Sequence, residues 1–328
     1  MKAIVYDRYG PPSVLELQEV AVPDVGDHEV LVRVHAAGVD PGVWFTLVGK
    51  PYVVRAASGL FRPRKTILGR AVAGRVEAVG SKVAEFEPGA EVFGEIAGGA
   101  YAEYVSAPAK ALALKPANLT FTEAAAVPLS AVTALQGLRD KGRIRKGHSV
   151  LINGASGGVG TFGVQIAKHF GAEVTGVCST KNADLVRSIG ADHVIDYTQQ
   201  DFTQSSRHYD LIFDLVGNHP LSAYRRSLTP EGTLLLSSGP PSPVIRRIIA
   251  ALVLSPFVGQ RMVPLLSVPR REDLEALTEL IEAGAVAPVI DRTYPLSEVA
   301  EALRHQGEGH RRGKIIITVD DESTGRGG

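Results

Sequence analysis

The chain has 328 residues, 45% of them apolar, and its 35 Lys and Arg balance 35 Asp and Glu. That length predicts about two domains with a sizeable core, and zero net charge leaves no overall field to draw nucleic acid or an anionic membrane, so a small-molecule ligand fits better. One cysteine, Cys178, excludes an internal disulfide and a multi-cysteine zinc site and agrees with a reducing compartment.

The opening MKAIVYDRYG has no apolar stretch of signal-peptide length, which makes the cytoplasm the default location. From residue 1 to about 122 the runs KAIVYD, VLVRVHAAGV, AVAGRVEAVG and AYAEYVSAP are rich in Val and alternate apolar with polar residues. Pro and Gly cluster between them, which predicts an antiparallel β domain. At TFTEAAAVPLSAVTALQGLRDKG the period changes: Thr120 or Thr122 can cap a helix with Glu123 in its first turn, and Ala/Leu periodicity then runs to Gly142. A domain boundary is therefore expected near residue 123. Beyond it, SVLING, VGTFGVQIAKHFG, AEVTGVCS, KNADLVRSIG, HVIDY, YDLIFDLVG, PLSAYRRSL and GTLLLSSG alternate strand with helix, as a parallel sheet covered by helices requires. The apolar segment 244–258 contains Arg246, Arg247 and Pro256 and is shorter than the roughly 20 residues a membrane span needs, so it reads as a buried or pocket-lining helix rather than a stable insertion. Two helices, REDLEALTELIEAG and LSEVAEALRHQ, and a last strand, GKIIITVD, precede a tail, DESTGRGG, expected to be disordered.

The stretch INGASGGVG carries the clearest chemistry. Val150 to Asn153 end a strand and Thr161 to Phe170 read as a helix, so Gly154-Ala155-Ser156-Gly157-Gly158-Val159-Gly160 is a strand-to-helix turn. Gly157 leaves room for a pyrophosphate against the backbone, Gly160 permits close helix–strand packing, and the helix N-terminus offers free N–H groups; Ala155 stands where the dinucleotide fingerprint has its first glycine. An acidic residue about 20 positions on would take the ribose hydroxyls of NAD. Here the next strand ends in Cys178-Ser179-Thr180-Lys181-Asn182. Two hydroxyls and a lysine suit a 2′-phosphate and point to NADP(H), with Tyr197 flanking the same phosphate or simply packing; Lys181 as a solvated helix-start residue is the competing reading.

With these residues placed, the sequence resembles the medium-chain dehydrogenase/reductase superfamily, in its zinc-less quinone-oxidoreductase-like branch. AAGVD at 36–40, ILGRAVAGRVEAVG at 67–80, PGAEVFG at 88–94, AAAVPLSAVTA at 124–134, GASGGVG, GADHVIDY at 190–197 and RRGKIIITV at 311–319 carry the likeness in order and spacing. The resemblance implies a GroES-like antiparallel β domain from residues 1–122 and 270–328, a doubly wound Rossmann domain at 123–269, a substrate cleft between the two, and a homodimer. It also implies that Thr133, Val216, Gly217, Ser238, Gly239 and Lys314 lie near the cofactor, together with the loop residues Ala155 to Val159. The zinc-dependent branch has a cysteine where this chain has Asp40 and Gly-His-Glu where it has Gly69-Arg70-Ala71; the further cysteine ligand and the four-cysteine lobe are missing too, so a catalytic zinc is not expected. His28, His35 and His193 sit singly among apolar or turn residues and read as packed or solvated. Many zinc-less relatives carry an acid at the place of Ala71, which leaves open what pairs with Arg70.

Without a metal, the negative charge that hydride transfer develops must meet hydrogen-bond donors, and a quinone or an α,β-unsaturated carbonyl compound is the acceptor class that spreads such charge. On the expected cleft side, Tyr52 reads equally as a donor to the acceptor's oxygen or as a rim hydroxyl, and Trp44 as a stacking platform or as filler. Asp40 is placed to bond the nicotinamide ribose or steer a proton. Two other functions share the same loop: a redox-responsive NADPH-binding protein without turnover, and an alcohol dehydrogenase.

Overall fold

The computed structural model describes residues 1–237, 250–251, 258–309 and 312–319. Ser238, Gly239, most of the apolar 244–258 segment and the DESTGRGG tail lie outside the described residues. Contacts divide the chain into two compact units, one of Met1–Leu129, Pro269–Glu282 and the described residues from Pro288 onward, the other of Ser130–Val268 with Ala283–Ala287.

The first unit is a seven-stranded sheet whose path runs Ile290–Pro295, Lys314–Thr318, Glu29–Val39, Ala71–Val79, Glu91–Glu95 and Leu112–Leu114, with Tyr104–Pro108 added beside Glu29–Val39. All pairings are antiparallel except that between Ile290–Pro295 and Lys314–Thr318. The eleven-residue strand Glu29–Val39 organises it, because register shifts at Leu31/Val32 and Val34/Ala36 bend it so that one edge serves two partners. Residues 29–33 of that edge pair with Tyr104–Pro108, and residues 36–39 pair with the last strand. Its inward side chains Val30, Val32 and Val34 are fully buried, and they share a core with Val72, Val92, Ile317 and Leu303. A short helix, Phe121–Ala125, closes the unit at the point where the period was expected to change. The Thr120 hydroxyl accepts from the Glu123 N–H while the Glu123 carboxylate accepts from the Thr120 N–H, a complete capping box. His35 stacks on Phe121 with ring centroids 4.2 Å apart.

The second unit is a six-stranded, all-parallel sheet in the order His193–Asp196, Glu173–Cys178, Ser149–Asn153, Tyr209–Asp214, Leu228–Leu236, Arg261–Pro264. Numbered along the chain this is 3-2-1-4-5-6, the doubly wound order in which the path reverses between strands 1 and 4. The continuous apolar runs VLI, LIF and LLL are buried throughout, as a sheet covered on both faces requires.

Two elements depart from the sequence reading. The helix expected to run on to Gly142 is interrupted: Phe121–Ala125 and Pro128–Leu135 are separate, because Pro128 has no N–H to continue the first, and the second widens into a π-helical stretch, Gln136–Lys141. A sixth strand, Arg261–Pro264, extends the parallel sheet where no strand was expected. No helix among the described residues is long and apolar enough to cross a membrane.

Candidate functional site

The glycine-rich turn leaves the first parallel strand where the order of strands reverses, the place at which open α/β sheets bind ligands. The helix Gly158–His169 starts three residues before the expected Thr161, and its N-cap, Gly157, brings no side chain to its first-turn N–H groups. The two key glycines behave differently. A Cβ on Gly160 would lie 2.1 Å from the Gly154 carbonyl oxygen and 2.8 Å from the Ala155 Cα, so only glycine allows the helix to start this close to the turn. A Cβ on Gly157 would meet nothing nearer than the Gly154 oxygen at 3.5 Å. The space before Gly157 is therefore not needed for packing, and it lies beside the uncapped N–H groups of the helix's first turn, the kind of place that favours an anion.

Side chains from neighbouring strands fix this cradle. Asn182 Nδ2 donates to the Ser156 hydroxyl at 3.0 Å and lies 3.3 Å from the Ser179 hydroxyl, so the turn is tied to the end of the second strand. Behind it, Asn153 Nδ2 reaches Asp214 Oδ1 at 2.9 Å, Asn218 Oδ1 at 2.9 Å and the Tyr224 hydroxyl at 3.1 Å. The same Asp214 oxygen accepts the N–H groups of Val216 and Gly217, and Gly217 takes the left-handed φ of 77° that the turn demands. Val216 and Gly217 are thus held beside the cradle by buried polar residues that no fingerprint singles out. The visible signal was an Asn or Asp closing an otherwise apolar strand, SVLIN and LIFD.

At the end of the second strand, Ser179, Thr180 and Lys181 come together with Tyr197 because Asp196 pairs in register with Cys178 and the Tyr197 N–H donates to the Cys178 carbonyl at 3.0 Å. Lys181 and Tyr197 are exposed, and the Lys181 ammonium has no hydrogen-bond or ion-pair partner among the described residues. The Thr180 hydroxyl donates to Asp196, whose carboxyl is held below its ordinary value by that bond and by others from Thr198 and Gln199. Cys178 is buried, which pushes its thiol up to about 11 and leaves it without nucleophilic character. Thr133, on the helix Pro128–Leu135, is mostly buried and donates to the Ser267 hydroxyl at 3.0 Å.

In the first unit, the positions compared with metal ligands hold a buried charge cluster. Lys314 and Asp40, 274 residues apart in the chain, form an ion pair whose side chains are 3% and 1% exposed. Lys314 Nζ also donates to the Val39 carbonyl at 3.4 Å. Arg70, whose partner the sequence left open, pairs with Glu95 at 2.6 Å. Burial raises the Glu95 carboxyl above its ordinary value and Asp40 adds to the rise, against the lowering pull of Arg70 and Lys314. The second carboxylate oxygens of Asp40 and Glu95 are buried without a hydrogen-bond partner among the described residues. Among the described residues no three His, Cys, Asp or Glu side chains converge as a metal site.

The three expected catalytic residues do not share one environment. Asp40 is fully buried and committed to Lys314. Trp44 is half-buried and takes the helix Val299–Glu308 directly against its ring, where a Cβ on Gly307 would come within 2.8 Å. Tyr52 is 70% exposed at the N-cap of the helix Val53–Ser58, with the Arg55 guanidinium 5.0 Å from its ring centroid and its hydroxyl free of partners among the described residues. His193 pairs with Glu173 at 2.8 Å on the surface, at the far end of the sheet from the cradle.

Residues 26–117 match the alcohol dehydrogenase GroES-like domain, and residues 189–317 match the zinc-binding dehydrogenase domain. The chain is 32% identical to the chloroplast envelope quinone oxidoreductase homolog of Arabidopsis thaliana, across 97% of this chain and 98% of that protein. It is also 32% identical to a chloroplastic NADPH-dependent alkenal/one oxidoreductase of the same plant, across 97% of this chain and 79% of the other. Among solved structures, the quinone oxidoreductase of Coxiella burnetii superimposes with a TM-score of 0.86 at 30% identity, covering 98% of this chain and 99% of that one. The chain belongs to the medium-chain dehydrogenase/reductase superfamily. Within it, the chain falls in the quinone-oxidoreductase-like branch that lacks the zinc ligands.

Proposed function

We propose that this protein is an NADP(H)-dependent oxidoreductase that delivers hydride to a quinone or to the β-carbon of an α,β-unsaturated carbonyl compound. The observation that carries the cofactor assignment is the open space before Gly157 at the sheet's reversal point, with a lysine unpartnered among the described residues and an exposed tyrosine at the end of the next strand. When bound, the nicotinamide supplies the hydride chemistry itself. The N–H groups of Gly158 and Val159 and the Ser156 hydroxyl hold the pyrophosphate, with Gly157, whose own N–H is bonded to the Gly154 carbonyl, leaving it room, while Ser179, Lys181 and Tyr197 read the 2′-phosphate. The parts of the chain beside the cradle, Val216 and Gly217, are fixed by Asp214 and Asn153.

The acceptor gains a hydride at one carbon, its carbonyl oxygen takes the electron pair, and a proton from solvent completes the reduction. A conjugated acceptor spreads the developing charge, so a hydroxyl donor can stabilise it in place of a Lewis acid. Tyr52 is the candidate donor because its hydroxyl is uncommitted. Asp40 and Lys314 act as a neutral structural pair, and Trp44 as packing. The test is steady-state NADPH oxidation by metal-stripped protein with a panel of quinones, enones and saturated carbonyls. Turnover with the conjugated compounds is expected, with little oxidation of saturated alcohols. Zinc-dependent alcohol oxidation, or no turnover with any conjugated acceptor, overturns the assignment.

A further inference from the structure

The zero net charge of the chain hides a local segregation. Between Asp40 and Glu77 there are seven basic side chains and no acidic one, and five of the seven, Lys50, Arg55, Arg62, Arg64 and Lys65, fall within sixteen residues. This stretch also displays the most exposed large apolar side chains among the described residues of the first unit: Phe61 is 86% exposed, Tyr52 70%, Leu60 64% and Val53 60%. The arrangement is built. The Arg64 N–H donates to the Ser58 carbonyl at 2.8 Å and closes a tight loop, in which Gly59 has a φ of 124° and no space for a side chain against the Arg62 carbonyl. The Tyr9 hydroxyl bonds both the Gly59 carbonyl, at 2.5 Å, and the Ser58 hydroxyl, at 2.9 Å, and fastens the base. Leu60 and Phe61 are therefore presented at the tip of a pinned loop rather than on a loose one.

Four of the five cations of this stretch are uncommitted among the described residues. Lys50, Arg62, Arg64 and Lys65 form no side-chain hydrogen bond or ion pair among the described residues, whereas Arg55 is held by the Tyr9 ring and the Gly49 carbonyl. Asp7, brought to this end of the unit by the bond from the Tyr6 N–H to the Thr66 carbonyl, faces Arg8 at 4.0 Å. Two bulky apolar side chains at a pinned tip, followed at once in the same loop by Arg62, Arg64 and Lys65, are complementary to an anionic lipid bilayer: the tip enters the acyl boundary while the cations meet the headgroups. Nucleic acid would satisfy the cations but would leave Leu60 in water.

We infer that the loop Ser58–Lys65 is a peripheral docking element for anionic phospholipid membranes. Near such a surface each cation favours binding by about fivefold. The full-length protein should therefore float with vesicles containing about one-third phosphatidylserine at low salt, and neither with pure phosphatidylcholine nor at about 1 M salt, where the screening length is about 3 Å. Leu60→Ser with Phe61→Ser, and separately Arg62→Glu with Arg64→Glu, should each reduce flotation, the charge reversal by on the order of 25-fold or more. Circular dichroism and unchanged NADPH binding establish that these variants are folded. As a conservative check, Phe61→Trp should show an emission shift to shorter wavelength with anionic vesicles and quenching by brominated lipid. Absence of flotation by the wild type, or flotation indifferent to both double variants, overturns the inference. So does a change in self-association by sedimentation without any vesicle dependence, which would make the loop a contact between copies. Retention on polyanionic heparin with no vesicle binding likewise overturns it in favour of nucleic acid.

Discussion

Replacing Asp40 with alanine tests what holds the last strand in the first unit. The Lys314 side chain is 3% exposed, and without Asp40 its ammonium keeps, among the described residues, one hydrogen bond, to the Val39 carbonyl at 3.4 Å, and the more distant pull of Glu95. Removing one partner of a buried ion pair leaves an uncompensated charge and destabilises by about 3–5 kcal/mol. At about 2–4 °C per kcal/mol for a domain of roughly 150–250 residues, Tm should fall by roughly 6–20 °C. Asp40→Asn keeps the shape and an oxygen for Nζ to donate to, so it should cost less, about 1–3 kcal/mol. Lys314→Met in the Asp40→Ala background removes the orphaned ammonium and should recover most of the loss, since an apolar replacement of both partners is often neutral. Denaturant unfolding of the wild type, Asp40→Ala, Lys314→Met and the double variant closes the cycle, with m-values compared to show that the same transition is being measured. A loss below about 1 kcal/mol for Asp40→Ala, or a double variant no more stable than Asp40→Ala alone, would refute the reasoning.

Four other outcomes follow from the geometry. Lys181→Ala should weaken NADPH binding by about 1.5–3 kcal/mol and NADH binding far less, measured by fluorescence titration; equal losses would clear Lys181 of the phosphate. Gly157→Val should keep the thermal stability of the fold yet abolish dinucleotide binding, whereas Gly160→Ala should lower stability itself, because its Cβ would fall 2.1 Å from the Gly154 oxygen; calorimetry beside titration separates the two. Tyr52→Phe should lower kcat for an enone by about tenfold or more if that hydroxyl holds the developing oxyanion, and an unchanged kcat removes it from the chemistry. Because burial holds the Glu95 carboxyl above its ordinary 4.5, its ionised form is the costlier one in the folded state. Its contribution therefore improves as pH falls from neutrality through the raised value, and Glu95→Gln should flatten that slope in unfolding midpoints. The surface carboxyls held low, such as Asp196, act in the opposite sense and at lower pH.

The parts of this molecule that could be read from sequence are those written in short-range patterns. Alternation of strand and helix, the glycine spacing of the cradle and the absence of an acid at 178–182 all lie within a few residues, and the parallel sheet is built on them. What escaped depends on distance along the chain. Arg70 finds Glu95 and Asp40 finds Lys314 only once strands have paired, and nothing local marks either union. Asn182 and Asn153, which hold the cradle in place, are ordinary polar residues until the turn is built around them. The strand Arg261–Pro264 was hidden because four residues with a charge at one end and a proline at the other carry no alternation, and an edge position tolerates both. The interrupted helix after Thr120 shows propensity losing to a backbone constraint: the Ala and Leu run continues, but Pro128 ends the hydrogen-bonded ladder.

The central strand Glu29–Val39 pairs along one edge with Lys314–Thr318, so a sheet begun before the parallel sheet in the chain is finished by a strand that follows it. During synthesis the ribosome releases the first strands long before their neighbour exists, and for that interval residues 36–39 offer an open edge of unpaired backbone groups. The parallel sheet, whose strands all lie between Ser149 and Pro264, can assemble in the meantime. Birth order and folding order are thus inverted: the unit whose central strand is made before the parallel sheet must wait until after that sheet, for Lys314–Thr318, before it can close. Its maturation should be timed by the emergence of Lys314–Thr318, and a transient partner that shields the edge of Glu29–Val39 would matter most for nascent chains stalled before Lys314.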